Sequence, residues 1–151
     1  MVGAGSWGTT IAALASHNAH TMLWSRRSEL AEEINLLHTN SAYLGPMVLP
    51  DALHASSDLQ TALMQADVVA MAVPSQGFHD VAGEVSKYVR AGVPVISLSK
   101  GLEQSTFLRM SEVIEQIMPN NPVAVLSGPN LAKEILAGQP AASVIACTDE
   151  S

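Results

Sequence analysis

The sequence predicts an α/β fold, a doubly wound and mainly parallel sheet with helices on both faces, and three observations predict it. Continuous apolar runs recur along the chain and alternate with amphipathic helical stretches, as parallel strands covered on both faces require. The 151 residues are 48% hydrophobic, enough for one good core, and no linker, low-complexity tract or internal repeat divides them. The first eight residues contain a complete G-x-G-x-x-G, Gly3-Ala4-Gly5-Ser6-Trp7-Gly8, which opens directly into a small-residue helical run from Thr9 to Ala15. A glycine turn leading into the first helix of such an alternating chain points to a Rossmann-type sheet.

Only Met1 and Val2 precede Gly3, whereas a strand usually runs about five or six residues, so the first strand is expected to be truncated. His20-Thr21-Met22-Leu23-Trp24 reads as the next strand, and a helix starts at Ser28. The connection from Thr39 to Ser56, which contains Asn40, Tyr43 and Leu44, is too long to be filler in a compact domain, and it either covers a ligand bound at the glycine turn or packs on the sheet edge. Ser57 and Asp58 begin a short helix ahead of the run Val68 to Val73, and a helix from about Gly77 to Arg90 leads to the run Pro94 to Leu98. Phe107, Met110, Ile114 and Ile117 line one face of the following helix, which Pro119 stops. The strand Val123 to Leu126, a short helix from Leu131 to Ala137, Gly138 and a last apolar run from Ala142 to Ala146 complete the pattern.

Composition narrows the function. A net charge of −7 argues against nucleic acid or an anionic membrane surface as partner, since both demand basic surface. The longest apolar run, Val68 to Val73, is far short of the roughly 20 residues that span a bilayer. One cysteine, Cys147, cannot form an internal disulfide and no basic, apolar leader is visible, so a cytoplasmic location is expected. The five histidines show no ligand spacing with cysteine or carboxylates, and no metal site is expected.

The glycine turn carries the clearest chemistry. Its first glycine allows the tight turn, its second lets backbone approach a diphosphate, and its third lets the helix pack close to the sheet, with the diphosphate resting on the positive helix end. At the end of the second strand, where Asp or Glu would read the ribose hydroxyls of NAD, the chain has Ser25-Arg26-Arg27. Two guanidiniums suit a 2′-phosphate, so NADP is favoured and NAD accepted; the alternative is a solvated pair at a helix start. These are two of only seven basic residues, which favours the phosphate reading.

Ligands in such sheets gather at the C-terminal strand ends. Those ends read Pro74-Ser75-Gln76, Ser99-Lys100-Gly101 and Ser127-Gly128-Pro129-Asn130, and all three are expected on the edge that carries the glycine turn. Lys100, leaving a buried strand, requires an anion, a carbonyl oxygen or solvent. Ser127 to Asn130 offers free amides and a cap, fit for substrate or a nicotinamide ribose, or for a plain helix start.

Taken together, Gly3 to Thr9, Trp24 with Arg26, Asn40 to Leu44, Ala72-Val73-Pro74-Ser75, Ser99-Lys100-Gly101-Leu102-Glu103 and Ser127-Gly128-Pro129-Asn130-Leu131-Ala132 closely resemble bacterial NAD(P)-dependent glycerol-3-phosphate dehydrogenase. The order and spacing hold along the whole chain. The resemblance implies reduction of dihydroxyacetone phosphate to sn-glycerol 3-phosphate, for phospholipid synthesis. It places Ser6 and Trp7 at the cofactor diphosphate, Arg26 and Arg27 at the adenosine end, and Ala132 at a further part of the cofactor. Lys100 would contact cofactor and substrate, with Gly128 and Asn130 at the substrate, while Gly3, Gly5, Gly8 and Pro74 complete the cofactor set. The chain departs from the family in its short first strand, in a stretch from Gly8 to Trp24 one residue shorter, and in Tyr43-Leu44-Gly45-Pro46 where the family continues tyrosine-leucine-proline. By resemblance, residues 1–151 are the NAD(P)-binding half of a homodimeric enzyme whose helical C-terminal domain carries the proton-donating lysine. This half alone is then expected to bind nucleotide without appreciable turnover. A stand-alone NAD(P)H-sensing module without catalysis is the alternative.

Overall fold

The computed structural model describes residues 1–147, so the expected domain end at Ser151 lies outside the described residues. Helix α1 (Ser6–Ser16) buries Gly8, Thr9, Thr10, Ala12, Ala13 and Ser16, small residues that let it lie close to the sheet. Strand β1 (Thr21–Trp24) follows, then α2 (Ser28–Leu37), which ends at His38 with φ 50°. Two elements then occupy the expected long connection: a single turn α3 (Ser41–Leu44) and a strand β2 (Leu53–Ser56), which pairs in parallel with β1, Thr21 opposite Leu53. Helix α4 (Leu59–Leu63) is capped by Asp58, whose carboxylate accepts from the amides of Gln60 and Thr61.

The second half runs β3 (Val69–Met71), a 3₁₀ turn (Ser75–Gly77), α5 (Phe78–Val85), β4 (Val95–Ser97), α6 (Met110–Ile117), β5 (Val123–Ser127), α7 (Ala132–Leu136) and β6 (Val144–Cys147). Strands β3, β4 and β5 pair in parallel and β6 lies antiparallel on β5. Val2 joins the two halves, because it bridges in parallel to both Trp24 and Met71. Its amide donates to the Ala70 carbonyl at 2.7 Å and its carbonyl accepts from the Ala72 amide at 2.8 Å. The spatial order is therefore β2, β1, Val2, β3, β4, β5, β6, and Val2 fills the centre of a Rossmann-type sheet.

Two apolar clusters pack around this sheet. One joins Val2, Met71 and Val95 to Phe78, Val81 and Val85 of α5 and Met110, Val113 and Ile114 of α6. The other joins Leu23 and Leu53 to Ala12 and Ala13 of α1, Leu30 and Ile34 of α2, and Leu44 and Leu49. Three sequence expectations are corrected. The helix after β4 begins at Met110, and Phe107 sits outside it with φ 59° and 74% exposure, in a turn closed by an antiparallel bridge between Leu102 and Arg109. The helix expected from Gly77 to Arg90 ends at Val85. The final strand is an exposed edge running against its neighbour, not a further buried parallel strand.

Candidate functional site

At the C-terminal edge of the sheet the glycine turn, the end of β1 and the ends of β3 and β4 enclose a cleft of about 690 Å³. Each glycine of the turn has its own steric reason. Gly3 has φ +105°, and a Cβ there would stand 2.5 Å from the Ala72 carbonyl oxygen. A Cβ on Gly8 would overlap the Gly3 carbonyl oxygen. Gly5 instead faces open space, with nothing within 4 Å of a Cβ. Above it, α1 starts without a side-chain cap, and the amides of Ser6, Trp7 and Gly8 have no partner among the described residues. This uncapped, positive helix end is a ready anion site.

Buried Asn40 supports the turn, donating through its amide to the Ala4 carbonyl at 3.0 Å and to the Thr9 hydroxyl at 2.8 Å. At the end of β1 the buried Ser25 hydroxyl donates to the Arg27 carbonyl at 3.0 Å and accepts from the Arg27 amide at 3.2 Å. This local turn sets the backbone that presents Arg26 and Arg27, both exposed at the cleft. Neither has a salt-bridge partner among the described residues.

At the other wall, Ser99 ties β3 to β4: its hydroxyl donates to the Val73 carbonyl at 2.6 Å and accepts from the Val73 amide at 3.2 Å. That bond fixes the peptide that launches Lys100. The Lys100 ammonium donates to the Gly128 carbonyl at 3.0 Å, leaving further N–H donors for a ligand. Asn130 is held by its amide to the Ala142 carbonyl at 3.1 Å and the Ser143 hydroxyl at 3.0 Å. The Ala132 carbonyl accepts the Thr10 hydroxyl at 3.3 Å, which joins α7 to α1.

The sequence-predicted residues therefore converge: Gly3, Gly5, Ser6, Trp7, Gly8, Arg26, Arg27, Pro74, Lys100, Asn130 and Ala132 all line the cleft. Gly128 does not line it and stands behind Lys100 as its acceptor. Ser75 and Gln76 turn away into a neighbouring hollow with His79 and Glu103. Sequence reasoning assigned no role to Ser25 or Ser99, whose work is to fix backbone, and left Tyr43 between two alternatives; the structure puts Tyr43 on the cleft wall. The motif S-K-G held the signal for Ser99, whereas nothing in the sequence pairs Tyr43 with Arg27.

The fit to a dinucleotide can be judged from the molecule itself. Although the chain is acidic overall, three of its seven Lys and Arg residues line the cleft and, among the described residues, no Asp or Glu does. Trp7 and Asn130 line the cleft, and the Trp7 indole N–H and the Asn130 amide oxygen are buried without a hydrogen-bond partner among the described residues. Buried polar atoms are ordinarily satisfied, and unpaired ones on residues of a cleft wall fit a site that takes a polar ligand. The open amides, the gap over Gly5 and the arginine pair fit a molecule with a diphosphate in its middle and an anion at one end.

Comparison with known proteins agrees. A family model described as the NAD-dependent glycerol-3-phosphate dehydrogenase N-terminus matches residues 1–151. Glycerol-3-phosphate dehydrogenase (NAD(P)+) 2 of Sphingopyxis alaskensis is 52% identical over 150 residues, covering 99% of this chain and 45% of the relative. A counterpart from Mycobacterium tuberculosis is 48% identical, covering 99% of this chain and 44% of the relative. The crystal structure of glycerol-3-phosphate dehydrogenase from Coxiella burnetii superposes with a TM-score of 0.90 at 33% identity, over 98% of this chain and 46% of that one. The chain thus spans a little under half the length of these relatives. GDP-mannose dehydrogenase from Pseudomonas aeruginosa, 18% identical with a TM-score of 0.73, shares the fold. The chain belongs to the N-terminal, NAD-binding family of glycerol-3-phosphate dehydrogenases.

Proposed function

We propose that this chain is the cofactor-binding half of an enzyme that interconverts dihydroxyacetone phosphate and sn-glycerol 3-phosphate, with NADP preferred over NAD. The observation that carries the reading is the concentration of Arg26, Arg27 and Lys100 around an uncapped helix end, in a cleft without Asp or Glu among the described residues. When bound, the reduced nicotinamide supplies a hydride to a carbonyl carbon. This chain's residues bind and orient. The amides of Ser6, Trp7 and Gly8 take the diphosphate, with Gly3, Gly5 and Gly8 allowing its approach. Arg26 and Arg27 take the 2′-phosphate, and Pro74 and Ala132 wall the cleft.

Lys100, braced on the Gly128 carbonyl, holds the phosphorylated substrate and meets the negative charge that grows on its carbonyl oxygen. Asn130, fixed through the Ala142 carbonyl and the Ser143 hydroxyl, stands at the substrate. The proton comes from a lysine of a helical C-terminal domain, so residues 1–151 alone bind nucleotide with negligible turnover. We place the enzyme in the cytoplasm as a homodimer that supplies glycerophospholipid synthesis.

The test is Lys100→Ala in the full-length enzyme. Reduction of dihydroxyacetone phosphate should fall about 10²- to 10³-fold, the usual cost of removing one donor to developing charge. An undiminished rate would refute the role given to Lys100.

A further inference from the structure

Residues 39–45 form a strap that carries α3 across the glycine turn, and its bonds fasten it beside that turn and the arginine pair. The Glu33 carboxylate accepts the Ser41 amide at 2.6 Å and the Thr39 hydroxyl at 2.9 Å. Asn40 holds the turn from beneath, through Ala4 and Thr9. The Ser6 hydroxyl, in the first turn of α1, donates to the Tyr43 carbonyl at 3.2 Å. So placed, the Tyr43 ring lies on the cleft wall with the guanidinium carbon of Arg27 5.6 Å from its centroid.

We infer that Tyr43 is a specificity-determining positioning residue: its ring is the platform that holds the Arg27 guanidinium beside Arg26, and it thereby sets the preference for a nucleotide bearing a 2′-phosphate. The inference rests on the proposed function, which puts the adenosine end of the nucleotide at this wall. An arginine attracted to a ring by its charge keeps its N–H donors for a phosphate. A side chain ordered before the ligand arrives loses less freedom when the ligand binds. NADH has no 2′-phosphate, so the platform acts on NADPH alone and changes the ratio of the two affinities. A residue that merely packed against adenine would change both affinities equally.

Calorimetric titration of the chain with NADPH and with NADH tests this in wild type, Tyr43→Phe, Tyr43→Leu, Arg27→Ala and the Tyr43→Leu/Arg27→Ala double variant. Tyr43→Phe should keep the wild-type ratio of affinities. Tyr43→Leu should lower it about two- to fivefold, the range of an exposed cation–π contact, with NADH affinity unchanged. Added to Arg27→Ala, it should lower the ratio no further. Tyr43 is 44% exposed, so the variants should fold, and Tyr43→Gln carries the same expectation if Tyr43→Leu melts early. An unchanged ratio in Tyr43→Leu, equal losses for both nucleotides, or additive losses with Arg27→Ala would each overturn the inference. Wild type binding both nucleotides equally would overturn it together with the proposed NADP preference, since no preference would exist to set. Wild type binding neither would instead defeat the proposed function, and the two failures are therefore distinguishable.

Discussion

At the scale of single residues, the three glycines of the turn share a motif and differ in physics. Gly8 packs on the Gly3 carbonyl and on Ala72, so Gly8→Ala forces backbone apart. Overpacking of this kind costs about 1–3 kcal/mol, and each kcal/mol lowers the melting temperature by about 2–4 °C in a chain of this size. Gly5, extended with φ −74° and ψ −179°, accepts a methyl group without strain, and that methyl enters the empty space over the turn that we propose for the diphosphate. Gly5→Ala should therefore melt with wild type and bind NADPH about tenfold more weakly, a loss of about 1.4 kcal/mol. Thermal unfolding and calorimetry on the two variants separate these outcomes; a Gly5→Ala protein that binds normally would contradict the phosphate path. These glycines were legible in the sequence because their spacing encodes a backbone shape. Tyr43 and Arg27 were not legible as a pair, since their contact depends on the left-handed turn at His38 and on the Glu33 tie, neither of which has a sequence pattern.

Among the elements, α3 is the most delicately held. It is one turn long, and the Glu33 carboxylate, reaching over from α2, supplies an anchor for its first amide. The bond from the Ser41 amide, with the Thr39 and Ser41 hydroxyl-bearing side chains and the charge of Arg27 assisting, holds the Glu33 carboxyl below its ordinary value. A carboxylate whose value is lowered on folding stabilises at pH above the ordinary carboxylate range, and that contribution is lost as pH falls through the lowered value. The Ser41 amide proton should therefore titrate in NMR spectra with an apparent value below that of a free glutamate, and the titration should vanish in Glu33→Gln. Titration at the ordinary glutamate value would contradict the tie.

The same scale shows why some elements escaped the sequence reading. Strand β2 is four residues long and buries only Leu53 and Ala55 deeply, so it offers one alternation and no apolar run. Phe107 falls at helical spacing from Met110 and Ile114, yet its backbone is left-handed and the helix waits until after Arg109. The direction of β6 depends on how the chain returns past the short α7, which hydrophobic pattern does not encode. By contrast β1, β3, β4 and β5 were legible, because buried parallel strands are continuous apolar runs.

For the whole molecule, the sheet puts its chemistry on one edge. Residues 1–3 complete the centre of the sheet, Val2 bonding to Ala70 and Ala72 beside β3 while the Met1 carbonyl and the Gly3 amide bond to Trp24 of β1, and the glycine turn leaves that centre directly. The ends of β1, β3 and β4 then bring Arg26, Arg27, Pro74 and Lys100 to the same cleft, with Asn130 beside them after β5, although the chain separates these residues widely. An acidic protein with a locally basic cleft attracts an anionic ligand to one place and repels it elsewhere. Binding to the folded state alone also stabilises it, by about 2.7 kcal/mol when ligand reaches 100 times its dissociation constant. The most direct test is calorimetric titration of the 151-residue chain with NADPH and with NADH at matched salt. The account predicts saturable binding of both, tighter for NADPH, with the preference erased when Arg26 and Arg27 are both replaced by alanine; no saturable binding of either nucleotide would contradict it.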